Sequence, residues 1–270
     1  MENTSTEKII NILQSQREFF KSGATLDLAF RKKMLQKLLD TMEKWESCLA
    51  EALWTDLHKS YEEAYLTEIS IVTGEIKTHL KKVGQWASKR RVCTPIKLFP
   101  SSTHIVKEPL GCSLIVSPWN YPIQLLLNPL VGAISAGCTA VLKPSPYVPT
   151  VSSVIEEMIK ETFDESYIAV VQGNRQVNTA LLEQRWDLIF FTGSPALAKT
   201  VMAAAAKKTS KPERKEKIKP NFYSEVELSL KNEIGRKVNI KPTGKGKGTL
   251  TIEFYNDKEL AEFAKKLAGE

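Results

Sequence analysis

Cysteine and histidine are scarce in this chain, which has four of the first and three of the second in 270 residues. Cys48, Cys93, Cys112 and Cys138 form no C-x-x-C pair and have no histidine cluster beside them. That pattern argues against a zinc site and against a disulfide framework; a reduced, cytoplasmic setting without a metal is expected. The N-terminus, MENTSTEK, lacks the apolar core of a secretion signal. Long uninterrupted hydrophobic runs are also missing. The longest candidate, Ile123 to Leu142, is broken by Gln124, Asn128, Pro129, Gly132 and Gly137 into a helix, a turn and the start of a strand. No membrane span and no membrane partner are therefore expected.

What is present is the balance of a soluble globular protein, 42% apolar and 26% charged, at a length suited to about two domains. The charge is unevenly placed. Residues 1–206 hold 22 Lys and Arg against 21 Asp and Glu, whereas residues 207–270 hold 16 against 10. The excess is thus +1 before the seam and +6 after it, which sums to the net +7. A polyanionic partner for the last quarter is one reading of that asymmetry, and a merely solvated basic tail is the other. The seam itself is KKTSKPERKEKIKP, residues 207–220, with seven lysines or arginines following the alanine-rich VMAAAA.

Residues 6–90 read as amphipathic helices. Leu35, Leu38, Leu39, Met42 and Trp45 recur at three- and four-residue spacing, with Arg31, Lys32 and Lys33 charging the approach. From residue 110 the rhythm changes to short apolar runs, Ser113–Val116, Ala140–Leu142, Ile168–Val171 and Leu188–Phe191, separated by helical stretches. Such runs fit strands buried on both faces, and their alternation with helices predicts a parallel, doubly wound sheet. Ligands of these sheets bind beyond the carboxyl ends of the strands.

Three stretches sit at such ends. In IVSPWNYP the strand stops at Ser117 and Pro118, Pro122 is suited to the first helical position, and Asn120 lies on the loop between. An amide there can donate to an oxygen that becomes negative in a reaction, or simply cap a turn. In AVLKPSP, Lys143 ends a buried strand, where its ammonium either reaches a nucleotide or snorkels to solvent. In FFTGSPALAK, Gly193 and Ser194 stand between strand and helix, where backbone N–H groups can meet a phosphate.

Taken in this order and separation, PWNYP, LKPS and FTGS resemble the aldehyde dehydrogenase family. EAYLTEI, VKEPLG and QRWDLIFFTGSPA are closest to its class 3, fatty-aldehyde-type branch. The resemblance covers about residues 6–207. It implies an incomplete Rossmann-like coenzyme domain, residues 1–206, for NAD or NADP and an aldehyde substrate. It further implies Asn120 as the oxyanion-stabilising amide, with Ser117, Pro118, Trp119, Lys143, Ser145, Gly193 and Ser194 on the coenzyme. Departures accompany it. Pro146 stands where the family has a ribose-binding glutamate, which leaves NAD against NADP open, and Ala198 replaces a second glycine. The ELGGK glutamate segment and the GQxC nucleophile segment do not follow the seam, so no catalysis is expected. Glu213 and Glu216 read as solvated charges on a linker, residues 207–220.

Residues 221–270 read as a small α-β-β-α domain. Val238 and Ile240 alternate with Lys237, Asn239 and Lys241, and Leu250, Ile252 and Phe254 alternate with Thr249, Thr251 and Glu253. PTGKGKG joins the two strands. Leu260, Phe263 and Leu267 line one face of a final helix opened by Asn256-x-x-Glu259. Fifty residues make a thin core that oligomerisation would complete. The wording IGRKVNIKPTGKGKGTLTIEFYNDKEL resembles the dimerisation domain of ParB-type partitioning proteins. That implies a homodimer whose Lys237, Lys241, Lys245 and Lys247 face duplex DNA without sequence preference. Two further readings stand beside the truncated enzyme: a dimeric DNA-binding protein, and a product of gene joining without a selected role.

Overall fold

The structure, a computed structural model, describes residues 2–208, 226–231, 235, 237–244 and 247–268. The chain divides into two compact units, Met1–Thr209 and Ser210–Glu270.

The first unit opens with helices. Helix α1 (Thr6–Lys21) starts at Ser5, whose hydroxyl accepts from Lys8 N, and α2 (Leu28–Leu57) starts at Asp27, whose carboxylate accepts from Ala29 N and Phe30 N. Both are side-chain N-caps that satisfy donors left free by the first helical turn. Helix α2 stops at His58, a non-glycine residue of positive φ (56°). Helices α3 (Tyr61–Ala64) and α4 (Ser70–Ala87) are joined by a π-helical turn, Tyr65–Ile69. The stripe forecast for α2 is core: Leu35, Leu38 and Met42 are fully buried, Leu39 nearly so, and Trp45 packs against them. Arg31 departs from expectation. It is buried, and its guanidinium donates to the carbonyls of Thr25, Leu26 and Ser135 because it lies against Gly137, where a side chain would collide with it.

A short antiparallel ribbon, β1 (Arg90–Val92) with β2 (Thr103–Ile105), precedes the sheet and was not signalled by any apolar alternation. The sheet then follows as β3 (Cys112–Val116), α5 (Pro122–Ala136), β4 (Thr139–Lys143), α6 (Pro149–Thr162), β5 (Ile168–Val170), α7 (Arg175–Leu182), β6 (Leu188–Phe191) and α8 (Pro195–Lys208). All pairs are parallel, in the order β5-β4-β3-β6. The apolar run 123–142 resolves as expected: Pro122 opens α5, Gly137 ends it at φ 83°, and β4 begins two residues on. Among the described residues no helix is long and apolar enough to cross a membrane.

Alternation along the strands feeds two cores. Leu114, Val141 and Ala169 pack with Ile9, Ile12, Val177, Leu181 and Trp186 under α1 and α7. Ile115, Leu142 and Ile168 pack with α5, α6 and the α2 stripe on the other face. Both faces of the inner strands are dry, which is why their sequences read as continuous apolar runs. Strand β6 differs: among the described residues it pairs with β3 alone, and Leu188 and Phe190 stay exposed.

In the second unit a helix, α9 (226–231), precedes β7 (Val238–Gly244) and β8 (Lys247–Ile252), which pair antiparallel with Val238 opposite Ile252 and Ile240 opposite Leu250. Helix α10 (Asp257–Ala268) follows. Its start is the reciprocal cap read from the sequence: Glu259 N donates to Asn256 Oδ1, and Tyr255 N donates to the Glu259 carboxylate. Helix α8 includes Lys207 and Lys208, while 209–220, with Glu213 and Glu216, lies outside the described residues, as do Lys245 and the side chains of Phe263 and Leu267.

Candidate coenzyme site

The chain lays β3, β4 and β5 outward in one direction, then returns to place β6 on the other side of β3. The point where a parallel sheet reverses its strand order leaves a crevice at the carboxyl ends, because the loops on either side part to opposite faces. Val116, the last residue of β3, is in register with Lys143 on β4 and Phe191 on β6. Backbone bonds continue the alignment past the strands, from Ser117 N to Lys143 O at 3.2 Å and from Thr192 N to Val116 O at 3.0 Å. The three stretches singled out in the sequence therefore end side by side at one crevice.

Lys143 is 1% exposed, so the snorkelling alternative is excluded. Its ammonium donates to Pro144 O at 2.7 Å and meets no carboxylate among the described residues. Burial without a counter-charge pushes its pKa down to about 8. Beside it, Ser117 is buried and its Oγ has no hydrogen-bond partner among the described residues. Buried polar groups are normally satisfied, so these two atoms fit a ligand that brings oxygens. Ser145 does not join them: its Oγ accepts from Tyr147 N, closing the turn before α6.

Asn120 and Trp119 are exposed on the loop after β3 and Pro118 is half-buried. The Asn120 side chain caps nothing among the described residues; its backbone carbonyl is what is held. Lys59 Nζ donates to that oxygen at 2.9 Å and to Glu68 Oε1 at 2.7 Å, and lies 4.0 Å from the centre of the Tyr121 ring. Glu68 is fully buried, and its other oxygen accepts from Ile123 N and Gln124 N at the start of α5. No periodicity or motif signalled this pair. Lys59 is aimed by the left-handed His58 and Glu68 by the π-helical turn, two backbone features that no periodicity announces.

Gly193 and Ser194 are exposed at the start of α8. The Ser194 hydroxyl accepts from Leu197 N at 3.4 Å as an N-cap. A side chain at Gly193 would come within 2.5 Å of the Phe191 ring, a local reason for glycine that is independent of any phosphate. Among the cysteines, Cys112 and Cys138 are buried and burial pushes the Cys112 thiol up, away from the thiolate a nucleophile requires. No group of three or more metal-ligating residues occurs among the described residues. In the second unit Lys237 is exposed and 3.7 Å from Glu253. Lys241 lies opposite Thr249, and Lys247 opposite Gly244.

The sequence profile of the aldehyde dehydrogenase family matches residues 1–214. The chain belongs to the aldehyde dehydrogenase family. A second profile, the ParB dimerisation domain, matches residues 222–268. The 4,4'-diaponeurosporen-aldehyde dehydrogenase of Staphylococcus aureus is 43% identical over 201 residues, 73% of this chain and 44% of that protein. Human aldehyde dehydrogenase family 3 member B1 is 43% identical over 195 residues, 72% of this chain and 42% of that protein. A substrate-bound Staphylococcus aureus AldH superposes with a TM-score of 0.72 at 43% identity, over 74% of this chain and 44% of that one. Betaine aldehyde dehydrogenase from Staphylococcus aureus in complex with NAD+ superposes at 0.69 with 26% identity, over 77% of this chain and 42% of that one. This family member thus spans less than half the length of the relatives it matches.

Proposed function

We propose that residues 1–206 form a dinucleotide-binding portion of an aldehyde dehydrogenase, joined through 207–220 to a dimerising tail, 221–270, and that the chain binds NAD or NADP weakly without oxidising aldehydes. The observation that carries the coenzyme reading is the meeting of three loop ends at Val116, with Lys143 and Ser117 buried and undersupplied with partners. When bound, the nicotinamide supplies a hydride acceptor. Lys143 and Ser117 contribute donors to ribose or phosphate oxygens, Pro118 and Trp119 shape the loop above them, and the N-terminus of α8 beside Gly193 and Ser194 faces the pyrophosphate. Ser145 holds the Lys143 loop in place. Asn120 presents the amide that an aldehyde oxygen would meet.

Weak binding is proposed because β6 leaves Leu188 and Phe190 exposed, so that side of the crevice is open to water. Inactivity is proposed because the 270 residues include neither the GQxC nor the ELGGK segment. Titration of the full chain with NADH, followed by fluorescence, tests the site. The expected dissociation constant is on the order of 1 mM, about −4 kcal/mol, and binding is lost in Lys143→Ala. Binding that Lys143→Ala leaves unchanged would remove the coenzyme assignment. The tail is proposed to form a homodimer, on the strength of the ParB match, and to meet duplex DNA through Lys237, Lys241, Lys245 and Lys247, on the strength of the +6 excess. A cytoplasmic location is consistent with the cysteine usage.

A further inference from the structure

The loop that follows Lys143 is Pro144-Ser145-Pro146, and its two prolines have no backbone N–H with which to anchor it. It is held through its oxygens instead. Lys143 Nζ donates to Pro144 O at 2.7 Å, Tyr147 N to Ser145 Oγ at 3.3 Å, and Ser152 Oγ to Ser145 O at 2.9 Å. The first two bonds are local, whereas the third comes from α6. Ser152 is fully buried in the first turn of that helix, and its own carbonyl accepts from Gln172 Nε2 at 2.7 Å.

Gln172 lies just beyond β5, where Val171 N donates to Leu142 O, the residue before Lys143. It is buried, and its Oε1 has no partner among the described residues. An apolar side chain of similar size would avoid the cost of that unmet oxygen, so the amide is explained by the donor it gives to Ser152 and not by packing. The turn that carries it is clasped by the segment before α1. Thr4 N donates to Gln172 O at 3.0 Å, Gln172 N to Thr4 Oγ1 at 3.1 Å, and Asn174 N to Asn3 Oδ1 at 3.0 Å. Gly173, at φ 140°, leaves room for Asn3 Oδ1, which a side chain there would strike.

We infer that Gln172 and Ser152 are positioning residues for the coenzyme crevice: they fix the Ser145 carbonyl, and through it the direction in which Pro144 O draws the Lys143 ammonium. The inference rests on the coenzyme reading of Lys143 and adds the residues that aim it. No motif marks either one; the pairing of β5 with β4, and α6 between them in the chain, bring them to the loop.

The full chain labelled with 13C-lysine gives the test, the Lys143 Cε resonance being identified by its loss in Lys143→Arg. In the parent chain it should titrate at about 8, because burial pushes the ammonium down. In Ser152→Ala and in Gln172→Leu the loop is released and water reaches the ammonium. The midpoint is then expected to rise towards the ordinary lysine value, and NAD titrated in the same spectra to bind about fivefold more weakly, the effect of one hydrogen bond. Thr162→Val is the control, since it removes a buried hydroxyl that donates to Met158 O at the other end of α6, and it should move neither reading. An unmoved midpoint in both Ser152→Ala and Gln172→Leu, an equal movement in Thr162→Val, or unchanged NAD affinity beside a moved midpoint would each overturn the inference. Failure of the coenzyme reading itself shows differently, as binding that Lys143→Ala leaves unchanged.

Discussion

The Lys59 ammonium and the Glu68 carboxylate meet at 2.7 Å where the Glu68 side chain has no exposure to water. Between them they bind the carbonyl of Asn120 and the first free amides of α5. A buried pair is weak evidence for stability by itself, since desolvation opposes the attraction, but removing one partner strands the other.

Glu68→Gln and Lys59→Met are each expected to destabilise the first unit by about 3 kcal/mol, with non-additive loss in the double variant. Urea unfolding measures this. Additive effects near zero would show that the pair holds nothing in place. The Asn120 side-chain amide resonance should broaden in either single variant, because the loop loses its anchor.

Lys143 gives a pH dependence of definite sign. Its pKa in the folded chain is about 8, below the value of about 10.4 for an unfolded lysine. The unfolded state therefore binds more protons between these values, and stability rises with pH through that window. Below pH 8 both states are charged and the full penalty, about 3 kcal/mol, remains. Lys143→Met should raise the urea midpoint at pH 7 and flatten the difference between pH 7 and 10. A Lys143→Met chain less stable at pH 7 would mean that the ammonium is better satisfied than its single carbonyl bond indicates.

Incubation of the purified chain with medium- and long-chain aldehydes and NAD or NADP should yield no reduced nicotinamide above the no-enzyme rate. Cys112 and Cys138 are buried, and Cys48 and Cys93 lie far along the chain from the crevice loops. Turnover abolished by Asn120→Ala would show that a nucleophile has been supplied from elsewhere in the chain.

The tail should sediment as a dimer within the full chain and retain duplex DNA of unrelated sequences at low salt. With four lysines on each of two copies, the slope of log affinity against log salt is at most about −7, from about −0.9 per phosphate neutralised. Lys241→Ala with Lys245→Ala should flatten it equally for every sequence. Lys237 contributes less than a free lysine, because Glu253 lies 3.7 Å from it. A dimer that leaves DNA unshifted would keep the dimer and end the DNA proposal.

Much of the architecture was legible in advance because it rests on local chemistry. Continuous apolar runs marked strands dry on both faces, Pro122 and Gly137 bracketed α5, and Asn256 with Glu259 marked the start of α10. Family motifs likewise marked Ser117 to Asn120, Lys143 and Gly193 at strand ends, since a strand must stop before its loop can carry a ligand group. Tertiary structure alone decided how those ends are used. Strand order brought three distant loops to Val116, and packing left Lys143 without a counter-charge among the described residues and turned Arg31 inward against Gly137. A left-handed residue and a π-helical turn brought Lys59 to Glu68, and the ribbon left Ile96 and Phe99 bare. Each of these depends on which segments meet across the fold, and hydrophobic period and short motifs record a residue's own backbone neighbourhood but not the partner that packing assigns to it.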